Sequence, residues 1–286
     1  PLVVFLHGGG DSADSFDQHR VGQHLDRALA VGRIPRAVIV VPDGDLGFWE
    51  NWHDGSRRYR DWVVDEVVPA VQAEFHTLSC PEHCHVAGVS MGGHGTMRIA
   101  WFRPESFASA ASLSGPILKT EAILEFADRW YVKLFIPVES IWGPLSDVER
   151  IRSEDLFRQW TDQEDLGVRL LLGVAKEDRD DILRTNREFH EHLLEHGIEH
   201  AYLEFEGEHG WDSWTPVIDR VLRFAVWGSV EPRSAAQNRP TTAAPVPMGT
   251  SFTGSASRSS LTVRDKPNMA PSNASRKPPC STRACP

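Results

Sequence analysis

Short runs of apolar, largely β-branched residues recur along the chain, separated by stretches whose apolar positions fall three and four residues apart. The runs are PLVVFLH (Pro1–His7), AVIVVPDG (Ala37–Gly44), CHVAGVS (Cys84–Ser90), FASAASLSG (Phe107–Gly115), VRLLLGV (Val168–Val174) and EHAYLEFEG (Glu199–Gly207). Near-continuous apolarity suits strands covered on both faces, as in a parallel sheet. Between them, Val64, Val67, Val68, Val71 and Phe75 mark one face of a helix over Asp61–Phe75, and Ile182, Phe189, Leu193 and Leu194 mark another over Asp181–His196. Strand and helix alternate without an internal repeat. The pattern predicts a doubly wound α/β domain over residues 1–228, with a mostly parallel central sheet flanked by helices.

Two segments break this rhythm. Residues 116–166 are rich in Trp, Phe and Leu, with helical patches and no convincing strand. The interval is too long for an ordinary connection, and ligands in this class of sheet bind beyond the carboxyl ends of the strands. A helical, cap-like insert above a site is therefore expected. From Ser229 to Pro286 the chain turns to Pro, Ser, Thr, Ala and Arg, a composition that buries too little apolar surface to offset the entropy of ordering. A disordered tail is expected there.

Charge divides along the same boundary. The tail carries eight Lys and Arg against two Asp and Glu, so a chain of formal charge −10 has a body near −16. An acidic body argues against nucleic acid as the partner. No apolar run approaches the ~20 residues that cross a bilayer, and no signal peptide pattern is seen. The chain opens in a strand without an initiator Met, so an upstream segment is expected to have been removed, and the compartment stays open between cytoplasm and exterior. Four cysteines are too few for a disulfide framework. The spacing in CPEHCH (Cys80–His85) matches no zinc pattern well, leaving a local disulfide or two free thiols.

The third run ends in GVSMG, a serine between glycines at the end of a buried strand. Gly88-Val89-Ser90-Met91-Gly92 fits G-x-S-x-G, in which a sharp strand-to-helix turn exposes a nucleophilic serine. A serine hydroxyl needs a base to take its proton and a carboxylate to orient that base. His209, in EFEGEHGWDSW, follows the last strand, and Asp178 follows the one before it. The order Ser, acid, His is the one expected for this topology. Glu177, Asp180 and Asp181 crowd the same loop as Asp178, and Asp180 or Asp181 would suit the cap of the next helix. Glycines in HGGGDS (His7–Ser12) leave backbone N–H groups free to approach a developing oxyanion, and the N–H of Met91 would be the second donor.

These residues resemble those of the α/β-hydrolase superfamily, and within it the esterase group of esterase D-like enzymes, tributyrin esterases, feruloyl esterases and mycolyltransferases. The likeness is carried by FLHGGGDS, by VPDGDLGFWENWHDGSRRYRDWVVDEVVPAV, by VAGVSMGGHGTMRIA and by FEGEHGWDSWTPVIDRVLRF, and it extends from Pro1 to Trp227. It implies Ser90 as nucleophile, His209 as general base, Asp178 as orienting acid, and Gly9 and Met91 as oxyanion donors. It also implies that Trp49, Asn51 and Trp52 line the acyl pocket. Trp142 and Trp211, with Trp214, are either further pocket walls or core. Two departures stand out: the acid loop is longer than the group's usual Gly-x-x-Asp, and the initial strands of the fold are absent. The expectation is a serine ester hydrolase acting on a small-molecule ester with a short acyl or feruloyl group, without metal or cofactor. Acyl transfer and a non-catalytic binding module are the rival readings, and assembly as a homodimer stays open.

Overall fold

The computed structural model describes residues 1–161 and 166–232. The tail expected over 229–286 lies outside the described residues beyond its first four positions.

Each apolar run forms a strand. They are β1 (Leu2–Leu6), β2 (Val38–Val40), β3 (Cys84–Val89), β4 (Ser109–Leu113), β5 (Arg169–Glu177) and β6 (His200–Glu208). All five pairings are parallel, in the order β2-β1-β3-β4-β5-β6. The order reverses between β1 and β3, which opens a crevice at their carboxyl ends where ligands of such sheets bind.

Helices cover both faces. Between β1 and β2 lie α1 (Ser15–Gln18) and α2 (Val21–Ala30). Next, α3 (Tyr59–Trp62) runs through a π turn (Val63–Val67) into α4 (Val68–Phe75), and α5 (Met91–Phe102) follows β3. Beyond β4 come α6 (Thr120–Asp128), α7 (Trp130–Phe135), α8 (Val138–Trp142), α9 (Val148–Arg152) and α10 (Leu156–Gln159). The chain closes with α11 (Asp180–Glu195) between β5 and β6, and α12 (Trp211–Trp227) after β6.

Alternation along β1 shows how the core is divided. Leu2, Val4 and Leu6 join one apolar cluster with α3–α5 and the segment after β4, while Val3 and Phe5 join the other with α2 and α12. Both predicted helical stripes are present but end early: Phe75 and Leu194 are exposed. On α11 the buried face is completed by Thr185 and Asn186 instead. Asn186 donates its amide to the carbonyl of Gly115, satisfying a buried polar group at the end of β4.

Of the short helices between β4 and β5, α9 and α10 are fastened to α5 by a buried ionic cluster. Arg98, on α5, donates to Glu50, to the Glu154 carboxylate and to Gln159 Oε1, while Arg60 reaches Glu50 and Arg150 reaches Glu154. Three guanidiniums and two carboxylates thus compensate one another, with Arg98, Glu50 and Glu154 buried at the centre and Arg150 at the partly exposed edge. Cys80 and Cys84 form a disulfide at the entry to β3.

Candidate active site

Ser90 caps α5 with φ 52° and ψ −122°, a left-handed conformation that side chains other than glycine's rarely adopt. The flanking glycines explain how the turn closes. A Cβ at Gly88 would lie 2.4 Å from the Gly92 carbonyl oxygen, and one at Gly92 only 2.0 Å from that of Leu6. Strand, turn and helix pack backbone to backbone, and the serine is held out at the crevice. Such a strained position persists only where the surrounding packing enforces it.

Loops at the ends of β5 and β6 deliver the other two groups. Ser90 Oγ lies 2.9 Å from His209 Nε2, and His209 Nδ1 lies 2.7 Å from Asp178 Oδ1. Asp178 alone of the four clustered acids is buried. Glu177 accepts the backbone N–H of Gly207, and Asp180 and Asp181 form the first turn of α11. The ladder between β5 and β6 slips between Ala175 and Glu177, which sets the face on which Asp178 emerges. Burial opposes the charge on Asp178, but the His209 ring N–H, the nearby Ser114 hydroxyl and the Arg179 backbone N–H outweigh it and hold its pKa below the usual carboxylate range. Ser114 does this without closing a well-formed bond to Oδ2, which is buried and unpartnered, while accepting the Trp214 indole N–H at 3.1 Å.

Nδ1 of the imidazole therefore donates to Asp178, leaving a lone pair on Nε2 to accept the Ser90 proton. Such a chain of three groups can raise the nucleophilicity of a serine and return the proton to a leaving group.

Gly9, Gly10, Ser90, Met91 and His209 share a cavity of about 430 Å³. Its apolar wall consists of Leu46, Phe48, Ile117, Leu118, Phe126, Ile136 and Ile182. The loop bearing Gly9 is pinned by His7, which is fully buried: Nδ1 donates to the Gly8 carbonyl and Nε2 accepts the Gly44 N–H. A broader hollow of about 550 Å³ lies at the amino ends of β5 and β6, against Arg169 and His200, away from these groups.

The tryptophans lie elsewhere. Trp49 is fully buried, with its indole N–H on the His7 carbonyl. Trp142 packs edge-on against Phe48 and Phe126, one layer behind the wall. Trp211 donates to Asp11 and stacks on His19, tying the turn after His209 to the loop after β1. Trp52 donates to the Gly47 carbonyl and borders a depression that adjoins the cavity at Gly10 and Leu46, and Asn51 accepts the Asp61 N–H. None of the five lines the cavity beside Ser90. The indole N–H groups of Trp49, Trp52 and Trp211 and the amide oxygen of Asn51 are used within the protein, and the apolar part of the wall falls to phenylalanine and aliphatic side chains. His7, Phe48, Phe126 and Arg179 were the residues not anticipated. HGGG offered a signal for the first; a lone cation within EDRDD offered one for the last.

A parallel sheet of this order, with a serine elbow after β3 and helices on both faces, is the α/β-hydrolase fold. The chain belongs to the family described as "Putative esterase", whose model matches residues 1–225. It is 27% identical over 227 residues to an esterase of Mycobacterium tuberculosis, covering 73% of this chain and 48% of that protein. The chain thus spans about half the length of that relative. Among solved structures it is similar in fold to the fluorophosphonate-binding serine hydrolase F of Staphylococcus aureus. The TM-score is 0.65 at 21% identity, with 79% of this chain and 83% of that chain covered. A ferulic acid esterase gives a TM-score of 0.63 at 18% identity over 79% of this chain and 84% of that one.

Proposed function

We propose that this protein is a serine carboxylic-ester hydrolase that works through an acyl-enzyme. The observation that carries the reading is the hydrogen-bonded series from Ser90 Oγ through His209 to Asp178, with Ser90 and His209 lining a partly apolar cavity. Ser90 attacks the ester carbonyl while His209 Nε2 takes its proton. The carbonyl oxygen gains charge and is met by the backbone N–H groups of Gly9 and Met91. Collapse breaks the bond to the alcohol, which leaves with the proton from His209. Water then repeats the sequence on the acyl-serine and releases the acid.

Asp178 keeps the imidazole in the useful tautomer and balances the imidazolium as it forms. Residues 116–166 act as a cap, because Ile117, Leu118, Phe126 and Ile136 from this segment close the cavity over Ser90. An enclosure of this size, with phenylalanine and aliphatic side chains beside the charged groups of Glu125, Arg129, Arg179, Asp181 and Arg184, suits a short acyl or single-ring aromatic ester. Names among the relatives, such as the endo-1,4-beta-xylanase/feruloyl esterase of Xylanibacter ruminicola, fit that substrate range.

The test is hydrolysis of p-nitrophenyl acetate, butyrate, octanoate and dodecanoate by wild type and Ser90→Ala. Loss of nearly all turnover in a variant with unchanged circular dichroism is the expected result. A variant that matches wild type, or a wild type that cleaves none of the four, overturns the reading.

A further inference from the structure

His209 Nε2 has a second neighbour. The guanidinium of Arg179, the residue after Asp178, places Nη2 3.3 Å from that nitrogen. Ser90 Oγ and Arg179 therefore converge on one lone pair. A guanidinium is charged at every working pH. Once His209 takes a proton from Ser90, two cations face each other across this gap, which disfavours the step on which the proposed reaction depends.

An anion beside Arg179 would remove that conflict, and the protein does not supply one. Among the described residues, no carboxylate lies within 4.0 Å of the Arg179 guanidinium. The other two arginines of the cavity wall differ: Arg129 is 3.4 Å from Asp181, and Arg184 is 3.0 Å from Glu188. Asp181 is thereby engaged, and Glu125, the remaining acid of the wall, is beyond ion-pair reach of Arg179. An exposed cation at the reacting atoms, in a cavity whose other two arginines are already paired, is a seat for a negative group carried in by the substrate.

We infer that the favoured substrates are esters bearing a carboxylate close to the scissile carbonyl, with Arg179 as the residue that selects them. This rests on Ser90 and His209 acting as proposed above. The substrate carboxylate would pair with the guanidinium, draw it off Nε2 and leave that lone pair to Ser90. The carboxylate undergoes no chemistry; it binds, and it neutralises the charge that opposes the imidazolium.

The experiment compares matched esters with the carboxylate in either half. Mono-p-nitrophenyl glutarate against p-nitrophenyl butyrate tests the acyl side, and 3-acetoxybenzoate against phenyl acetate tests the alcohol side. Each is measured with wild type, Arg179→Gln, Arg179→Glu and Ser90→Ala. The expected result is a kcat/KM at least ten-fold higher for the anionic member of one pair in wild type. That ratio should fall ten-fold or more in Arg179→Gln and drop below one in Arg179→Glu, with the loss visible in KM. The pair that responds identifies which half carries the anion. No anionic preference in wild type, or a preference that survives Arg179→Gln, overturns the inference while Ser90→Ala, if inactive, leaves the hydrolase reading standing. An active Ser90→Ala, or a wild type inert toward all four esters, removes both.

Discussion

Arg98 and Glu50 face each other deep inside the protein, the guanidinium Nε donating to the carboxylate with neither side chain more than 3% exposed. They join α5 to the loop after β2, and through Glu154 and Gln159 they hold the α9–α10 corner. Removing one partner leaves the others charged, buried and unmatched. Arg98→Ala is expected to lower stability by about 3–5 kcal/mol, on the scale of broken buried ion pairs. Urea unfolding gives the value, and a loss below about 1 kcal/mol would mean that the cluster does not hold the segment.

The same pair predicts an acid-sensitive stability. Burial alone would raise the Glu50 pKa, but the Arg98 guanidinium, a hydrogen bond from His94 and the Arg60 charge bring it down to about 2. In the unfolded chain a glutamate titrates near about 4.3. Its contribution is therefore complete above that value and is lost as pH falls toward 2. Melting temperature should decline more steeply in wild type than in Glu50→Gln between about pH 4.5 and 2. Parallel declines would show that Glu50 is not the linked group.

Asp178→Asn should preserve the fold and cripple ester turnover. An amide in place of the carboxylate donates or accepts ambiguously at His209 Nδ1 and permits the wrong tautomer, so kcat should fall by about 10³- to 10⁴-fold. Ser114→Ala removes only a neighbour of that carboxylate and should cost far less. If Asp178→Asn retained more than a tenth of wild-type kcat, another acid would have to be orienting the imidazole.

Trp142 and Phe126 separate packing from selectivity. Trp142 lies behind the cavity wall, so Trp142→Ala should cost about 3–5 kcal/mol as a core truncation. Of the two roles open to it, pocket wall or core, its packing against Phe48 and Phe126 is that of core. Phe126→Ala opens the wall itself and should shift relative kcat/KM toward the longer p-nitrophenyl ester by about ten-fold. Chain-length profiles of the two variants, with their unfolding midpoints, distinguish the cases; a Phe126→Ala profile matching wild type would remove that ring from the acyl site.

Much of this was legible in the order of residues. Buried parallel strands are nearly all apolar, so the six runs reported themselves, and Ser90 stood out because only glycines let its turn close against Leu6. The tryptophans were misleading because sequence does not distinguish a ring that faces a ligand from one that faces the core. Trp49 and Trp211 differ from wall residues only in having indole partners at His7 and Asp11, which are 42 and 200 residues away in the chain. Asp178 was hard to separate from its neighbours because its orientation depends on a slip in the β5–β6 ladder, which no local pattern announces. Arg179 was invisible for a related reason: a cation among acids reads as solvated until its position over His209 is known.

The placement of Arg98 on α5 has a kinetic consequence. That helix begins at the Ser90 turn, so the proposed nucleophile and the anchor of α9 and α10 sit on one helix. The middle of the same segment, α7, instead shows Trp130, Leu134 and Phe135 largely to solvent. Phe126, Arg129 and Ile136 around that helix line the cavity, so a displacement there would open a way to Ser90 without moving the helix that carries it.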